Sequence, residues 1–536
     1  MPAFVRDLDA PLLALTPHDQ FTLRDACAGV HVFGGIGSGK TSGSGRTLAA
    51  AYLRAGMGGL ILCAKPEEVE AWERYARENG RADSLVLFDE RHGFNFIDYE
   101  LARHGVQGVS NVTECLMRVL EAADHATGAG GGASSDPFWS QSTRQVLNYA
   151  IPVLYAAHRN VTITGIIDFV TSAAGKPEQY GDAAWCERSY AAKSLRKAAE
   201  VPAVPIDRNG QEMLLRYWFT EYPAIPEKTR GNIVISLSAK LDRFRRGRLA
   251  NAFCSATTLL PEMTFHGALI VMAMPALTWN EDGIIGQQLF KFMWQRAVES
   301  RNGLEARHRD RPVFLWADEA QYFVSVKDDE FLSTCRGSKA CVVFLSQTLP
   351  SYYARLGKDK TDAADGLVGK FMTQVFHQNA CNRTNTFASQ LIGRGVQERR
   401  SFTQTSGSTR SEGMNTGGGQ SWSQGSSGGQ NWNWGSSSSS SGPGGGSYNR
   451  GSGHNRGWNS GSGSNTSWGN NVGSGSSEST SYGSSEHMDF IIEPNYFAGK
   501  LLSGGAKHGY AVTGVWFKAG GNFGGGNTLL AAFRQK

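Results

Sequence analysis

Eight consecutive residues, Gly34-Gly35-Ile36-Gly37-Ser38-Gly39-Lys40-Thr41, fit the phosphate-binding pattern G-x-x-x-x-G-K-[ST]. They follow an apolar run (Val30, Val32, Phe33) and open a helical pattern, the setting in which this motif works. Glycines let successive backbone N–H groups point inward at phosphate oxygens, and the helix N-terminus adds positive potential. Lys40 would reach the β- and γ-phosphates, and Thr41 would hold Mg²⁺. A second pattern, Val313-Phe314-Leu315-Trp316-Ala317-Asp318-Glu319, is an apolar strand ending in two acids. Asp318 suits Mg²⁺ and Glu319 suits orienting and deprotonating a water. Alone such a strand end is a common solvent edge; beside the loop it reads as the Walker B pattern. A third apolar run, 341–345, ends at Ser346-Gln347. An amide there is placed to sense a γ-phosphate, or simply to cap a strand. Arg336 precedes that run and could serve a neighbouring subunit's nucleotide, its planar fork suiting phosphate oxygens, or be a surface arginine. The run 240–248 carries Lys240, Arg243, Arg245, Arg246 and Arg248. It fits a DNA backbone track and a solvated helix end equally well. Ala239-Lys240-Leu241-Asp242 lacks the Asn of a guanine-reading motif, so ATP rather than GTP is the expected nucleotide.

These groups need a frame. Residues 28–33, 59–63 and 84–88 read as strands separated by helical patterns at 41–53 and 67–78, the alternation of a parallel α/β sheet. From 105 to 250 the pattern turns helical, at 109–123, 137–158, 187–201 and 231–244, with a Gly/Ser-rich loop at 128–136 that is expected to be mobile. Strand-like runs return at 268–274, 313–316 and 341–345, with an amphipathic helix at 289–301. The organisation expected is an N-terminal extension (1–20), a nucleotide-binding domain in two parts (21–104 and 251–402), an inserted all-α domain (105–250), a low-complexity insertion (403–487) and a closing segment (488–536). The fold class is α/β, a RecA-like phosphate-loop motor with a mostly parallel sheet.

Segment 403–487 holds about a third of the 66 glycines and almost no aliphatic residues, so it cannot bury a core and is expected to be disordered. It carries Trp422, Trp432, Trp434, Trp458 and Trp468, which makes it either a linker or a contact arm for bases or partners. Two strands, at 509–517 and 528–533, follow it. The 536 residues suggest about three domains. With 53 basic and 48 acidic side chains, the net charge of +5 permits nucleic acid without demanding it. No apolar run approaches the roughly 20 residues of a membrane helix. Eight scattered cysteines without a C-x-x-C pair, and no signal-like N-terminus, point to a soluble, reduced, cytoplasmic chain.

Beyond the generic motifs, the chain resembles the TraG/TraD-like coupling proteins of type IV secretion and conjugation, in the FtsK–HerA branch of ATPases. The resemblance covers most of 28–400 and 488–536. Leu62-Cys63-Ala64-Lys65-Pro66-Glu67 resembles the family's D-x-K-G-E turn, with Cys63 and Pro66 departing from it. Phe94-Asn95-Phe96-Ile97, Pro137-Phe138-Trp139 with Arg144, Val146 and Leu147, Thr229-Arg230-Gly231-Asn232-Ile233, and Glu493-Pro494 with Phe497 and Leu501 resemble further family segments. Arg336 and Gln347 match its intersubunit arginine and glutamine sensor. The resemblance implies a hexameric ATP- and Mg²⁺-dependent motor that moves DNA, with a relaxase and the secretion channel as partners. The family usually has transmembrane helices, so a separate membrane-anchor subunit, or peripheral placement at the inner membrane, is implied. Two alternatives are a soluble FtsK–HerA-type translocase in defence or segregation, and a nucleotide-switched adaptor delivering protein substrates.

Overall fold

The computed structural model describes residues 3–126, 137–357, 360–413, 426–435, 451–460, 471–521, 523 and 526–535. The loop 128–136, Trp422 and Trp468 lie outside the described residues. The chain forms two compact units, Met1–Ala388 with Pro494–Lys536, and Ser389–Glu493.

Among the described residues, a nine-stranded sheet runs through the larger unit. Its order is Thr528–Arg534, Ala511–Lys518, Thr373–Phe376, Val30–Phe33, Ala340–Ser346, Val313–Ala317, Gly58–Leu62, Leu269–Met272 and Leu85–Phe88. The first two run antiparallel to their neighbours, and every later pair is parallel. The central strands are buried along their whole length, which is why they read as unbroken apolar runs rather than alternating ones. Trp72, from helix Pro66–Glu78, stacks on Phe314 at 5.7 Å and meets Trp316 edge-on at 5.3 Å, pinning that helix over the acid-bearing strand. Gly59 is required there: a Cβ would lie 2.3 Å from the Phe314 ring.

The expected strands appear within a residue or two of their positions, and four helices differ instructively. The helix after the phosphate loop opens as a π-turn, Thr41–Gly45, before the α-helix Arg46–Arg54. Gly45 N donates to Lys40 O at 2.8 Å, the i→i−5 bond that closes the wider turn. The single helix expected over 187–201 is two, Ala183–Arg188 and Tyr190–Glu200. Ser189 sits between them in extended conformation, and its hydroxyl accepts from Ala192 N. The helix expected from 231 starts earlier, at Glu227 after Pro226, and runs to Leu241. The helix expected over 289–301 is Glu281–Ser300. Strand Thr373–Phe376, one of the two flanking the phosphate-loop strand, had no counterpart in the sequence reading.

The helices between Phe96 and Phe253 build the all-α region around Trp218, Tyr217 and Tyr222. It packs on the sheet through helix Val109–Ala126 against Glu281–Ser300, where Cys115 Sγ lies 3.1 Å from Met293 Sδ. In the smaller unit, Arg394–Gly413 pairs antiparallel with Asn471–Phe490, and Ser426–Gly435 with Gly451–Ser460. The insertion therefore leaves and returns at paired positions, Arg394 opposite Phe490. This pairing is made by main-chain groups and asks nothing of the aliphatic side chains the segment lacks. No helix among the described residues is long and apolar enough to cross a membrane. All eight cysteines are free.

Candidate active site

The parallel strands deliver their C-terminal ends to one edge of the sheet, and the motif residues meet there. The phosphate loop leaves Val30–Phe33 held by its neighbours: Gly34 N donates to Ser346 O at 3.2 Å and Gly35 N to Gln378 O at 2.8 Å. Gly39 has φ of +81°, and a Cβ on it would stand 2.5 Å from Val512 Cγ2. The loop thus rests directly on the closing strand, and only glycine fits.

Thr41 Oγ1 donates to Asp318 Oδ2 at 2.7 Å. A hydroxyl and a carboxylate side by side are a hard-oxygen donor pair of the kind that holds Mg²⁺. Burial raises the Asp318 pKa, against the pull of Lys40 and the Thr41 hydrogen bond. Glu319 follows with φ of +50°, a left-handed conformation rare outside glycine. Its own N–H donates to Asp318 Oδ1 at 2.9 Å, which helps hold the bend. The bend sends the Glu319 side chain into the site, where four donors converge on it. Oε1 accepts from Gln347 Nε2 at 2.9 Å, Lys65 Nζ at 3.2 Å and Lys40 Nζ at 3.5 Å, and Oε2 accepts from Gln321 Nε2 at 2.9 Å. Burial would raise its pKa, but Lys40, the two glutamines and Lys65 outweigh that and hold it down to about 2. Gln321 is in turn oriented by Ser346 Oγ at 2.9 Å, and Gln347 O accepts from Asn379 Nδ2 at 2.7 Å.

Behind the loop, His377 fastens three elements. Its Nδ1 donates to Thr513 O at 2.9 Å, which leaves Nε2 to accept from Ser44 Oγ at 2.7 Å. Burial pushes its pKa to about 4, so it stays neutral.

Three comparisons bear on this arrangement. The family model described as the TraM recognition site of TraD and TraG matches residues 312–442, which include Asp318, Glu319, Arg336 and Gln347. Among solved structures, the bacterial conjugative coupling protein TrwBΔN70 in its unbound monoclinic form aligns at TM-score 0.50 with 12% identity, over 96% of this chain and 86% of that one. The resemblance to the TraG/TraD-like coupling proteins is borne out. The fold shared with that coupling protein is the mostly parallel sheet expected from the sequence. TrwB in complex with the ATP analogue ADPNP aligns at TM-score 0.43 with 16% identity, over 70% of this chain and 76% of that one. VirB4 of Thermoanaerobacter pseudethanolicus aligns at 0.38 with 11% identity, over 69% and 86%. A search of curated proteins finds no match.

The structure thus brings Lys40, Thr41, Asp318, Glu319 and Gln347 together. It does not bring Arg336 to them. That exposed residue lies in the 3₁₀ turn Cys335–Ser338 before strand Ala340–Ser346, at the opposite edge of the sheet. A strand of that length separates it from Gln347 by roughly 20 Å. The basic run is also elsewhere and largely paired with acids. Arg243 meets Glu281 and Asp282, Arg245 and Arg246 meet Asp242, and Arg248 meets Glu90 while lying over the Trp279 ring. Lys240 lies in the last turn of helix Glu227–Leu241. The sequence reading assigned no role to Lys65, Gln321, Glu68, His377 or Asn379. Lys65 and Gln321 were both visible, one in the turn after a strand and one beside the acid pair, but only folding shows that they share the Glu319 carboxylate. Burial and then Asp318 raise the Glu68 pKa.

Proposed function

We propose that this protein is an ATPase that couples ATP hydrolysis to the movement of DNA or nucleoprotein in a conjugative or related type IV secretion system. The observation that carries the reading is the pairing of Thr41 with Asp318 beside a Glu319 carboxylate shared by Lys40 and Gln347. The loop N–H groups and Lys40 bind the phosphates, and Thr41 and Asp318 would hold Mg²⁺, which would supply positive charge against the phosphates. Glu319 takes a proton from water as the water oxygen bonds to the γ-phosphorus. The bond from that phosphorus to the β,γ-bridging oxygen breaks, and its electron pair leaves with ADP. Gln347 positions the water or γ-phosphate and so reports the nucleotide's state to strand Ala340–Ser346. Arg336 acts in trans, on the nucleotide of a neighbouring subunit in a hexamer; its place at the far sheet edge supports this, because its own site is out of reach.

The basic run forms part of the DNA track. Arg246 and Arg248, with side chains 81% and 51% exposed, are the members placed to exchange Asp242 and Glu90 for phosphate oxygens, since exposed pairs hold weakly. A TraM-like partner is supported by the family match over 312–442, and a relaxase and secretion channel by the coupling-protein resemblance. The test is ATP turnover with single- and double-stranded DNA, together with displacement of a triplex strand from duplex. Stimulation and displacement are expected, and both should weaken in Arg246→Ala/Arg248→Ala. A rate indifferent to every DNA, with no displacement, would favour an adaptor that switches without moving DNA.

A further inference from the structure

The Glu319 carboxyl group is crowded. A carboxylate has about four lone-pair sites, and four donors already occupy Glu319: Gln347, Lys65 and Lys40 on Oε1, and Gln321 on Oε2. Three of these fall on Oε1, which has two lone pairs, while Oε2 carries one. Once Lys40 has moved to phosphate, Gln347 and Lys65 still fill Oε1, so that oxygen can take a water proton only after one of them leaves, and the two glutamine contacts are the ones with local support. Ser346 holds Gln321, and Asn379 holds the Gln347 main chain. The two lysines are the donors that a polyphosphate would attract.

Lys65 is mounted with unusual rigidity for a lysine whose side chain is 43% exposed. Cys63, two residues before it, is bonded on both sides by the fully buried Gln287: Cys63 N donates to Oε1 at 2.8 Å, and Nε2 donates to Cys63 O at 2.9 Å. Glu68 Oε2 accepts from Ala64 N at 2.7 Å and Lys65 N at 3.3 Å. Pro66 then starts the next helix. A buried amide and the Glu68 carboxyl group therefore fix the main chain under Lys65, and its ammonium is delivered to the same oxygen that Lys40 faces. Holding Glu319 in place does not require this, because Lys40 and the glutamines already do so.

We propose that Lys65 is a catalytic residue that leaves Glu319 for the γ-phosphoryl oxygens when ATP binds. Its departure both frees the Glu319 Oε1 for the attacking water and supplies, from within the same subunit, a positive charge where negative charge develops. ADP has no γ-phosphate to draw it away, so Lys65 stays beside Gln347 on Oε1 and that oxygen remains filled. This rests on the ATPase reading above and adds a residue to its site. The bond changes are those already given; Lys65 stays protonated and transfers nothing.

The test compares wild type, Lys65→Met and Lys65→Arg, with Mg²⁺ throughout. Steady-state ATP hydrolysis is measured, along with equilibrium affinity for ADP and for ADP with fluoroaluminate, a mimic of the transferring phosphoryl group. A contact made to the γ-phosphoryl group should be lost from turnover and from the mimic but not from ADP. Lys65→Met is expected to lower kcat by roughly 100- to 1,000-fold, the range for removing one transition-state donor. ADP affinity should stay within about twofold, while fluoroaluminate should lose most of its added affinity. Lys65→Arg, which keeps the charge, should fall between. A Lys65→Met kcat within twofold of wild type would overturn the proposal. So would equal weakening of ADP and ADP–fluoroaluminate, the signature of a merely structural role. If wild type itself does not hydrolyse ATP, the underlying ATPase reading fails, and the two affinities alone then decide the contact.

Discussion

Glu319→Gln should separate binding from turnover in opposite directions. Lys40 Nζ lies 3.5 Å from Glu319 Oε1, so Lys40 must give up that carboxylate to reach phosphate. The fall of the Glu319 pKa from an ordinary 4.5 to about 2 corresponds to about 3 kcal/mol of preference for the charged form. Part of this comes from Gln321 and Gln347, whose contacts an amide can partly keep, and solvent screening at the open side of the site reduces the rest. About 1 kcal/mol is left for Lys40, or roughly fivefold in affinity. ATP should therefore bind Glu319→Gln about fivefold more tightly than wild type. Loss of the base should lower kcat by roughly 10²- to 10⁴-fold. Equilibrium titration with a fluorescent ATP analogue and steady-state phosphate release measure the two quantities. Weaker ATP binding together with a kcat within tenfold of wild type would refute both the competition for Lys40 and the role of the base.

Mixing inactive Lys40→Ala with inactive Arg336→Ala subunits should restore part of the ATPase, because some interfaces then join an intact site to an intact arginine. No rescue at any ratio, despite demonstrated co-assembly, would place Arg336 outside the reaction. His31 and His377, both fully buried with pKa values pushed by burial to about 3 and about 4, should make the fold acid-sensitive. Each binds a proton in the unfolded chain below about 6.5 but not in the folded one, so stability should fall as pH drops from 6.5 toward 4, by about 1.4 kcal/mol per pH unit for each histidine. Urea midpoints at pH 7, 6 and 5 check this, with His377→Gln expected to show the shallower fall. Lys291, fully buried, donates to Asp328 and, at 2.6 Å, to Phe323 O. Lys291→Met should cost about 3–5 kcal/mol by stranding the Asp328 charge, and Lys291→Met/Asp328→Asn should recover part of it in the same denaturation assay.

The parallel sheet was legible because strands buried on both faces need unbroken apolar runs, as in LIVM at 269–272 and VFLWA at 313–317. The phosphate loop and acid pair were legible because their chemistry fixes residue types at short spacing. Strand Thr373–Phe376 was not: Thr373 and Gln374 are polar, yet both are buried in the sheet. Nor was the split at Ser189, where a local cap overrides continuous helical periodicity. The site lost most where partners are distant in sequence. Lys65 and Glu319 lie 254 residues apart, and Ser44 and His377 lie 333 apart. No periodicity records such pairs; sheet order does, by setting the strand that ends near Lys65 beside the one that ends just before Glu319. The π-turn at Thr41–Gly45 was likewise hidden, since its i→i−5 bond leaves the residue pattern looking helical.

The most direct test of the central claim is the rate of phosphate release from ATP by the full chain, compared with Lys40→Ala and Thr41→Ala/Asp318→Ala across a Mg²⁺ titration. The account predicts Mg²⁺-dependent turnover in wild type. Lys40→Ala should lose nucleotide binding and turnover together, and Thr41→Ala/Asp318→Ala should shift or abolish the Mg²⁺ dependence. Turnover in wild type no greater than in Lys40→Ala, or undiminished turnover with Mg²⁺ chelated, would contradict it.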